Sequence, residues 1–318
     1  MTTIKDVAEK AGVSISTASY ALNNHPNVSA KTRAKILEVA KELNYYPNAS
    51  ARNLKTRKTG NVGFLIYGFD GPIFGDILEG VNEELQRKNY NIIVSSGVSS
   101  ATILKERQVD AAIVFDSNLD EETIKNYANF SPVVLLDRNL EYKNIYTSRV
   151  DNYNLVIELI NGAIKKGYKN IAFFAGPKDS PSNYERYEGF KKALENNNLK
   201  EFAYYQGDFT IQKAYEIGGL IAKDDNKPDF IYCANDESAV GLLKALQEND
   251  VAVPKEIAIA GFDGILLGEY VSPSITTIQI DYKEWGHHLA QFIISKLNGK
   301  GKFKLNDPTA KIILKETT

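Results

Sequence analysis

Three apolar stripes at helical spacing open the chain. In TIKDVAEKAG, Ile4, Val7, Ala8 and Ala11 fall on one face of a predicted helix. Gly12 follows, where a left-handed backbone costs little, and Ser14 can cap the next helix with its side-chain oxygen. In that second helix Thr17, Ala18, Ala21 and Leu22 are expected to lie against the first, leaving Ile15, Ser16, Ser19 and Tyr20 outward. A third helix is expected from Ser29, stapled by Val28, with Ile36, Leu37, Val39, Ala40 and Leu43 inward. Two short helices joined at a glycine and braced by a third make a helix-turn-helix unit. Its outward Ser, Thr and Asn side chains are small enough to let a helix approach base edges and phosphates.

From residue 61 the period changes. Apolar runs recur at NVGFLIYG, YNIIVSSG, DAAIVFD, VVLLDR, NIAFFAG, EFAYYQG, DFIYCAND and EIAIAGFD, with helix-period segments between most of them. This pattern predicts an α/β body of parallel sheets covered by helices on both faces. Val62, Phe64, Gly80 and Leu85 are echoed at a constant offset by Ile171, Phe173, Gly189 and Leu194, which predicts two similar lobes.

Composition sharpens this picture at two points. The 318 residues carry one cysteine, Cys233, so no internal disulfide can form. With no long apolar window and no secretory leader in MTTIKDVAEK, the expected location is the cytoplasm. The net charge of −2 hides an asymmetry. Residues 1–58 hold ten Lys or Arg against four Asp or Glu, a net of +6, and the remainder nets −8. A small basic head on a large acidic body points to a polyanion partner for the head alone.

The order TIKDVAEKAGVSISTASYALN followed by NYYPNASARNL resembles the head and hinge of the lactose/galactose repressor (LacI/GalR) family, and the resemblance runs on through the body. It implies a helix-turn-helix head at 1–45, a hinge helix and linker at 46–60, and a two-lobed periplasmic-binding-protein-like body at 61–318. The implied N-lobe is about 61–147 and 282–304, and the C-lobe about 150–278 and 307–318. It further implies a homodimer on pseudo-palindromic double-stranded operator DNA. Ser16, Thr17, Ser19 and Tyr20 would face the DNA, with Ile15 and Ser14. Thr3, Asn23, Asn27 and Ser29 are assigned to the same face. In the hinge, Asn48, Ala51, Arg52 and Lys55 would meet the duplex, and Leu54 would wedge the minor groove. The residues agree: Pro47 can start a helix, and Ala51 with Leu54 makes an apolar face too short to be stable alone. At Tyr20 the chain departs from the family's TVSR pattern, which removes a guanine-reading arginine and implies a different half-site.

For the body the resemblance implies a sugar or sugar phosphate at the carboxyl ends of the strands, acting as inducer or corepressor. Arg186, Asn235, Asp263 and Asp137 would bond hydroxyls. Phe209 and Tyr282 would pack on the sugar ring, and Phe74 and Ile77 would form the cleft wall. Tyr67, Phe69 and Phe74 make an aromatic mouth, suggesting a larger sugar or glycoside. The crossover from Val98 to Gln108 is shorter than the family's, with a helix of about two turns expected near Thr102 to Arg107. The alternative is a catabolite-control-type regulator whose effector is a phosphorylated phosphocarrier protein. An enzyme is disfavoured: no GxGxxG or P-loop occurs, the histidines are only His25, His287 and His288, and no cofactor or metal is implied.

The charge split generates a direct test. DNA affinity of the whole protein is expected to fall on the order of a thousandfold or more between about 50 and 200 mM salt, with effector affinity changing little by comparison. Equal salt slopes in filter-binding and calorimetric titrations would contradict the assignment of the polyanion to the head.

Overall fold

A computed structural model describes residues 2–46, 53, 58–69, 71–136, 138–299 and 303–318. The chain divides into two compact units, 1–59 and 60–318.

The first unit holds α1 (Ile4–Ala11), α2 (Ile15–Leu22) and α3 (Ala30–Glu42). Each start is capped locally. Thr3 donates through its backbone N and its Oγ1 to Asp6 (2.7 and 2.9 Å), and the oxygens of Ser14 and Ser29 accept the N–H of Thr17 and Thr32 (3.1 and 3.2 Å). Gly12 ends α1 at φ 68°. Val7, Ala8, Ala11, Ala18, Ala21, Val28, Ile36, Val39 and Ala40 form the core. Leu37, expected inward, is instead 48% exposed. It stands about 100° round the helix from Ile36, off the stripe that Val39, Ala40 and Leu43 continue.

The second unit contains two lobes, each built on one sheet. The first sheet has the order β2-β1-β3-β4-β5, from β1 (Asn61–Ile66), β2 (Asn91–Ser96), β3 (Ala111–Phe115), β4 (Val133–Leu135) and β5 (Ile145–Thr147), all parallel. The second has the order β11-β10-β9-β8-β6-β7, from β6 (Ile171–Ala175), β7 (Tyr204–Gln206), β8 (Phe230–Cys233), β9 (Ala258–Asp263), β10 (Thr276–Ile280) and β11 (Ala310–Ile313). Only β11 runs antiparallel to its neighbour. The eight apolar runs of the sequence are β1–β4 and β6–β9. The short β5, the Thr-rich β10 and the edge strand β11 lack so strong an apolar signal.

The covering helices are α4 (Ile73–Arg87), α5 (Val98–Lys105), α6 (Glu121–Ala128), α7 (Asn152–Lys166), α8 (Pro181–Asn196), α9 (Ile211–Lys223), α10 (Asp236–Glu248), α11 (Leu267–Tyr270) and α12 (Tyr282–Leu297). The crossover helix α5 has the two turns expected but starts four residues earlier, because Gly97 at φ 63° turns strand directly into helix. Among the described residues no helix is long and apolar enough to cross a membrane.

Backbone contact between helices explains the repeated glycine. A Cβ on Gly80 of α4 would lie 2.0 Å from the carbonyl oxygen of Lys283 on α12, and one on Gly286 would lie 2.3 Å from that of Ile77. In the other lobe a Cβ on Gly189 of α8 would lie 2.4 Å from the carbonyl of Tyr153 on α7. The chain passes between lobes after β5, after β10 and before β11. Side chains stitch these passages: Trp285 donates to Ser148 (2.7 Å), Ser148 to the carbonyl of Asn306 (2.8 Å), and the Arg149 N–H to Asp307 (2.9 Å).

Gly80→Ala is therefore expected to destabilise the body by roughly 1–3 kcal/mol, since backbone must move. Gly162→Ala, in open space on α7, is expected to stabilise by roughly 0.5–1 kcal/mol. Urea unfolding of both variants reads the contrast, and equal effects would remove close helix approach as the reason for Gly80.

Candidate functional site

In the head, Ile15, Ser16 and Tyr20 are exposed on α2, with Thr17 and Ser19 half-buried beside them. Tyr20 stacks on His25 with ring centroids 4.6 Å apart. Asn23 turns its amide back to the carbonyl of Ser19 (2.7 Å), closing α2, and the exposed Asn27 gives its backbone N–H to His25 (3.3 Å). Arg33 fixes the turn by donating to the carbonyl of His25 (2.7 Å). Thr3, Ser14 and Ser29 are exposed caps. Asn48, Ala51, Arg52, Leu54 and Lys55 lie outside the described residues, as does Asp137.

In the body, a cavity of about 480 Å³ lies between the lobes at the carboxyl ends of both sheets. Phe74, Arg186, Phe209, Asn235, Asp263 and Tyr282 all line it. Ile77 does not. It is fully buried in the core, with its carbonyl against Gly286, one turn too deep along α4 to reach the cleft.

Arg186 organises the floor. Only 6% exposed, it donates through Nε to Asn152 (2.9 Å), through Nη1 to the carbonyl of Ala234 and through Nη2 to Asp263 (3.3 Å), and it lies 3.6 Å over the ring of Phe262. Guanidinium has five N–H donors, so one on each terminal nitrogen remains beyond these bonds. Asp263 Oδ1 also accepts the Tyr282 hydroxyl at 2.7 Å. Burial raises the Asp263 carboxyl, opposed by Arg186 and by the Tyr282 bond, and burial beside Asp263 lifts the Tyr282 hydroxyl well above its ordinary value. Asn235 caps α10 through Ser238 (3.1 Å) and donates to the carbonyl of Phe209 (3.0 Å). The ring of Phe209 fills the niche that Gly176 leaves, where a Cβ would lie 2.2 Å away.

Phe209 and Asp263 adopt φ of 71° and 103°, a region costing a non-glycine residue roughly 1–3 kcal/mol. Both residues line the cavity. The opposite wall is aromatic, with Tyr67, Phe74 and Phe115 in edge contacts at 5.3–6.3 Å. Phe69 is exposed and not part of the lining. The chamber thus sets hydrogen-bond donors and acceptors on its floor against apolar faces on the opposite wall. Among the described residues no His, Cys, Asp and Glu group is arranged to hold a metal ion.

Residues 3–48 match the family described as bacterial regulatory proteins, lacI family, and residues 161–318 match a periplasmic binding protein-like domain. Over an alignment of 330 positions the chain is 30% identical to the NTD biosynthesis operon regulator NtdR of Bacillus subtilis (strain 168), covering 100% of both. The chain belongs to the LacI family. It is a DNA-binding transcriptional regulator and not an enzyme. It is also 31% identical over 287 residues to catabolite control protein A of Priestia megaterium, covering 87% of this chain and 86% of that one. The lac repressor bound to ONPG in its repressed state matches with a TM-score of 0.85 at 25% identity, over 100% of this chain and 99% of that one.

Within this LacI-family body several cavity residues escaped the sequence reading. Asn152 and Glu185 support Arg186: Asn152 donates to Glu185 at 2.9 Å, and Arg149 donates to the same carboxylate. Trp285 and Glu237 also line the cavity. Asn152 and Trp285 lie near the passages between lobes and meet Arg186 and Ser148 only through folding. Behind the wall, the buried Asp236 accepts Thr277 (2.7 Å) and the N–H groups of Gly264 and Ile265 (2.8 and 2.9 Å). Burial, aided by Asp263, pushes its carboxyl up to about 7.

An acid with a raised native pKa binds its proton more tightly folded than unfolded. Its contribution is therefore largest below about pH 4 and fades as pH rises towards about 7. Denaturant midpoints across this window are expected to fall with rising pH in the parent, with a flatter profile in Asp236→Asn. An unchanged profile in the variant would assign the titration to another group.

Proposed function

We propose that this LacI-family regulator is a cytoplasmic repressor of carbohydrate-utilisation genes whose operator binding is controlled by a sugar in the interlobe cavity. The observation that carries this reading is the buried Arg186–Asp263–Tyr282 arrangement, which faces a chamber with aromatic walls. Hydroxyls bond the remaining Arg186 donors, the second amide proton of Asn235 and the Asp263 carboxylate, while Phe209 and Phe74 cover apolar C–H faces. Two heads of a homodimer read a pseudo-palindromic operator. Ser16 and Tyr20 meet base edges, and Leu54 wedges the central step as in the family resemblance.

Control follows from linkage. Tyr282 begins α12, which packs on the N-lobe, and its hydroxyl binds Asp263 at the end of a C-lobe strand. A ligand that competes for or reinforces this bond favours one arrangement of the lobes. Operator DNA favours an arrangement too, and each ligand shifts the other's affinity by the same factor, typically through roughly 1–3 kcal/mol of coupling.

Arg186→Ala is expected to lower sugar affinity roughly ten- to a hundredfold, with operator binding in the absence of sugar retained. Isothermal titration against sugars and electrophoretic mobility shifts read the two properties separately. If the folded variant binds sugar as the parent does, and the parent instead binds a phosphorylated phosphocarrier, the effector is a protein.

A further inference from the structure

The turn between α2 and α3 brings a second ring to Tyr20. Asn24 takes the left-handed backbone at φ 55°. Around it the N–H of His25 donates to the carbonyl of Tyr20 (2.9 Å), and that of Asn24 to the carbonyl of Ala21 (3.2 Å). Asn23 is the C-cap of α2. In a helix end bonded this way, the residue two beyond the cap meets the residue three before it. His25 and Tyr20 hold those two positions, and their rings stack with centroids 4.6 Å apart and 24° between planes.

His25 is itself tied down. Its carbonyl accepts Arg33 Nη2 from α3 (2.7 Å), and its ring Nδ1 accepts the backbone N–H of Asn27 (3.3 Å). Backbone and ring are therefore both fixed, and the ring presents one plane to Tyr20. Tyr20 remains 43% exposed on the outward face of α2. A tyrosine on an open helix face ordinarily has more than one staggered rotamer to choose from, and fixing it against a partner costs that freedom. The stack removes the choice before DNA arrives.

We propose that His25 is a positioning residue for DNA readout: its ring holds the Tyr20 phenol in one orientation, so that the stacked pair, rather than Tyr20 alone, sets the base pair selected by this part of α2. The proposal rests on the reading that Tyr20 meets base edges and adds a residue of the turn that acts through it. A phenol hydroxyl both donates and accepts, so its bonding capacity alone separates few base pairs. Selectivity comes from where the ring is held. A ring kept in one orientation admits the base edge that fits and clashes with one that does not, such as a thymine methyl.

Two substitutions separate this role from that of a contact that merely ends α2. His25→Asn removes the ring but keeps an acceptor for the N–H two residues on. His25→Phe keeps a ring and removes the acceptor. The full-length protein is mixed with a library of double-stranded DNA carrying randomised inverted-repeat half-sites, and the bound sequences are counted. Tyr20→Ala identifies the base pairs that depend on the phenol. His25→Asn is expected to relax preference at those same base pairs and at no others. In mobility shifts its affinity for the parent's preferred duplex is expected to fall roughly three- to tenfold. Added to Tyr20→Ala, it is expected to cause no further loss. His25→Phe is expected to recover the preference that His25→Asn loses.

A His25→Asn protein that keeps the parent's preference, or that weakens every duplex equally, overturns the proposal and leaves the reading of Tyr20 intact. So does a full additive loss on top of Tyr20→Ala, or a His25→Phe protein as relaxed as His25→Asn. A preferred sequence unaltered by Tyr20→Ala overturns both.

Discussion

A guanidinium buried at the floor of the interlobe cavity must find acceptors for its charge, and the body of this protein is arranged around that requirement. Arg186 draws in the start of α7 through Asn152, the end of β8 through Ala234 and the end of β9 through Asp263, with Phe262 beneath it. Removing a partner of a buried charge costs several kcal/mol, on the order of 3–5, so each of these segments is fixed relative to the others. Asp263 then extends the network to Tyr282, on a helix that packs in the other lobe. Thus the group that forms the cavity floor also joins the two halves that enclose it.

The second set of restraints lies where the chain passes between lobes. Trp285, Ser148 and Asn306 form a continuous hydrogen-bonded series across segments far apart in sequence. Trp285 also lines the cavity, so one indole touches both the ligand space and the passages. Behind it, α12 meets α4 backbone to backbone at Gly286 and Gly80. Backbones this close leave no room for one helix to slide past the other without repacking.

Charge divides the labour between the units. The head's +6 attracts a polyanion, whereas the body carries an acidic surplus of −8. The opposite charges of head and body place the attraction for a polyanion on the head alone.

The three head helices were legible in the sequence because their stripes, caps and Gly12 turn are local features. Leu37 was misread because its position on the helix flank depends on what packs beside it. Eight strands were legible as apolar runs, and the offset of Gly80 and Gly189 announced two lobes. Only the fold gave the reason, that each glycine admits a neighbouring backbone carbonyl. Arg186, Asn235, Asp263, Phe209 and Tyr282 could be named from family-like motifs, yet nothing in their spacing states that they share one chamber. Ile77 carried the same kind of signal and points into the core instead. Asn152, Glu185, Trp285 and Glu237 were invisible as cavity residues, because their roles depend on partners 33 to 137 positions away or on facing a space that exists only when the lobes meet. Sequence determined the local elements and their repeat, since periodicity and capping act within a few residues. Tertiary structure decided which charges were paired and which side chains line the cavity, since both are set by long-range proximity.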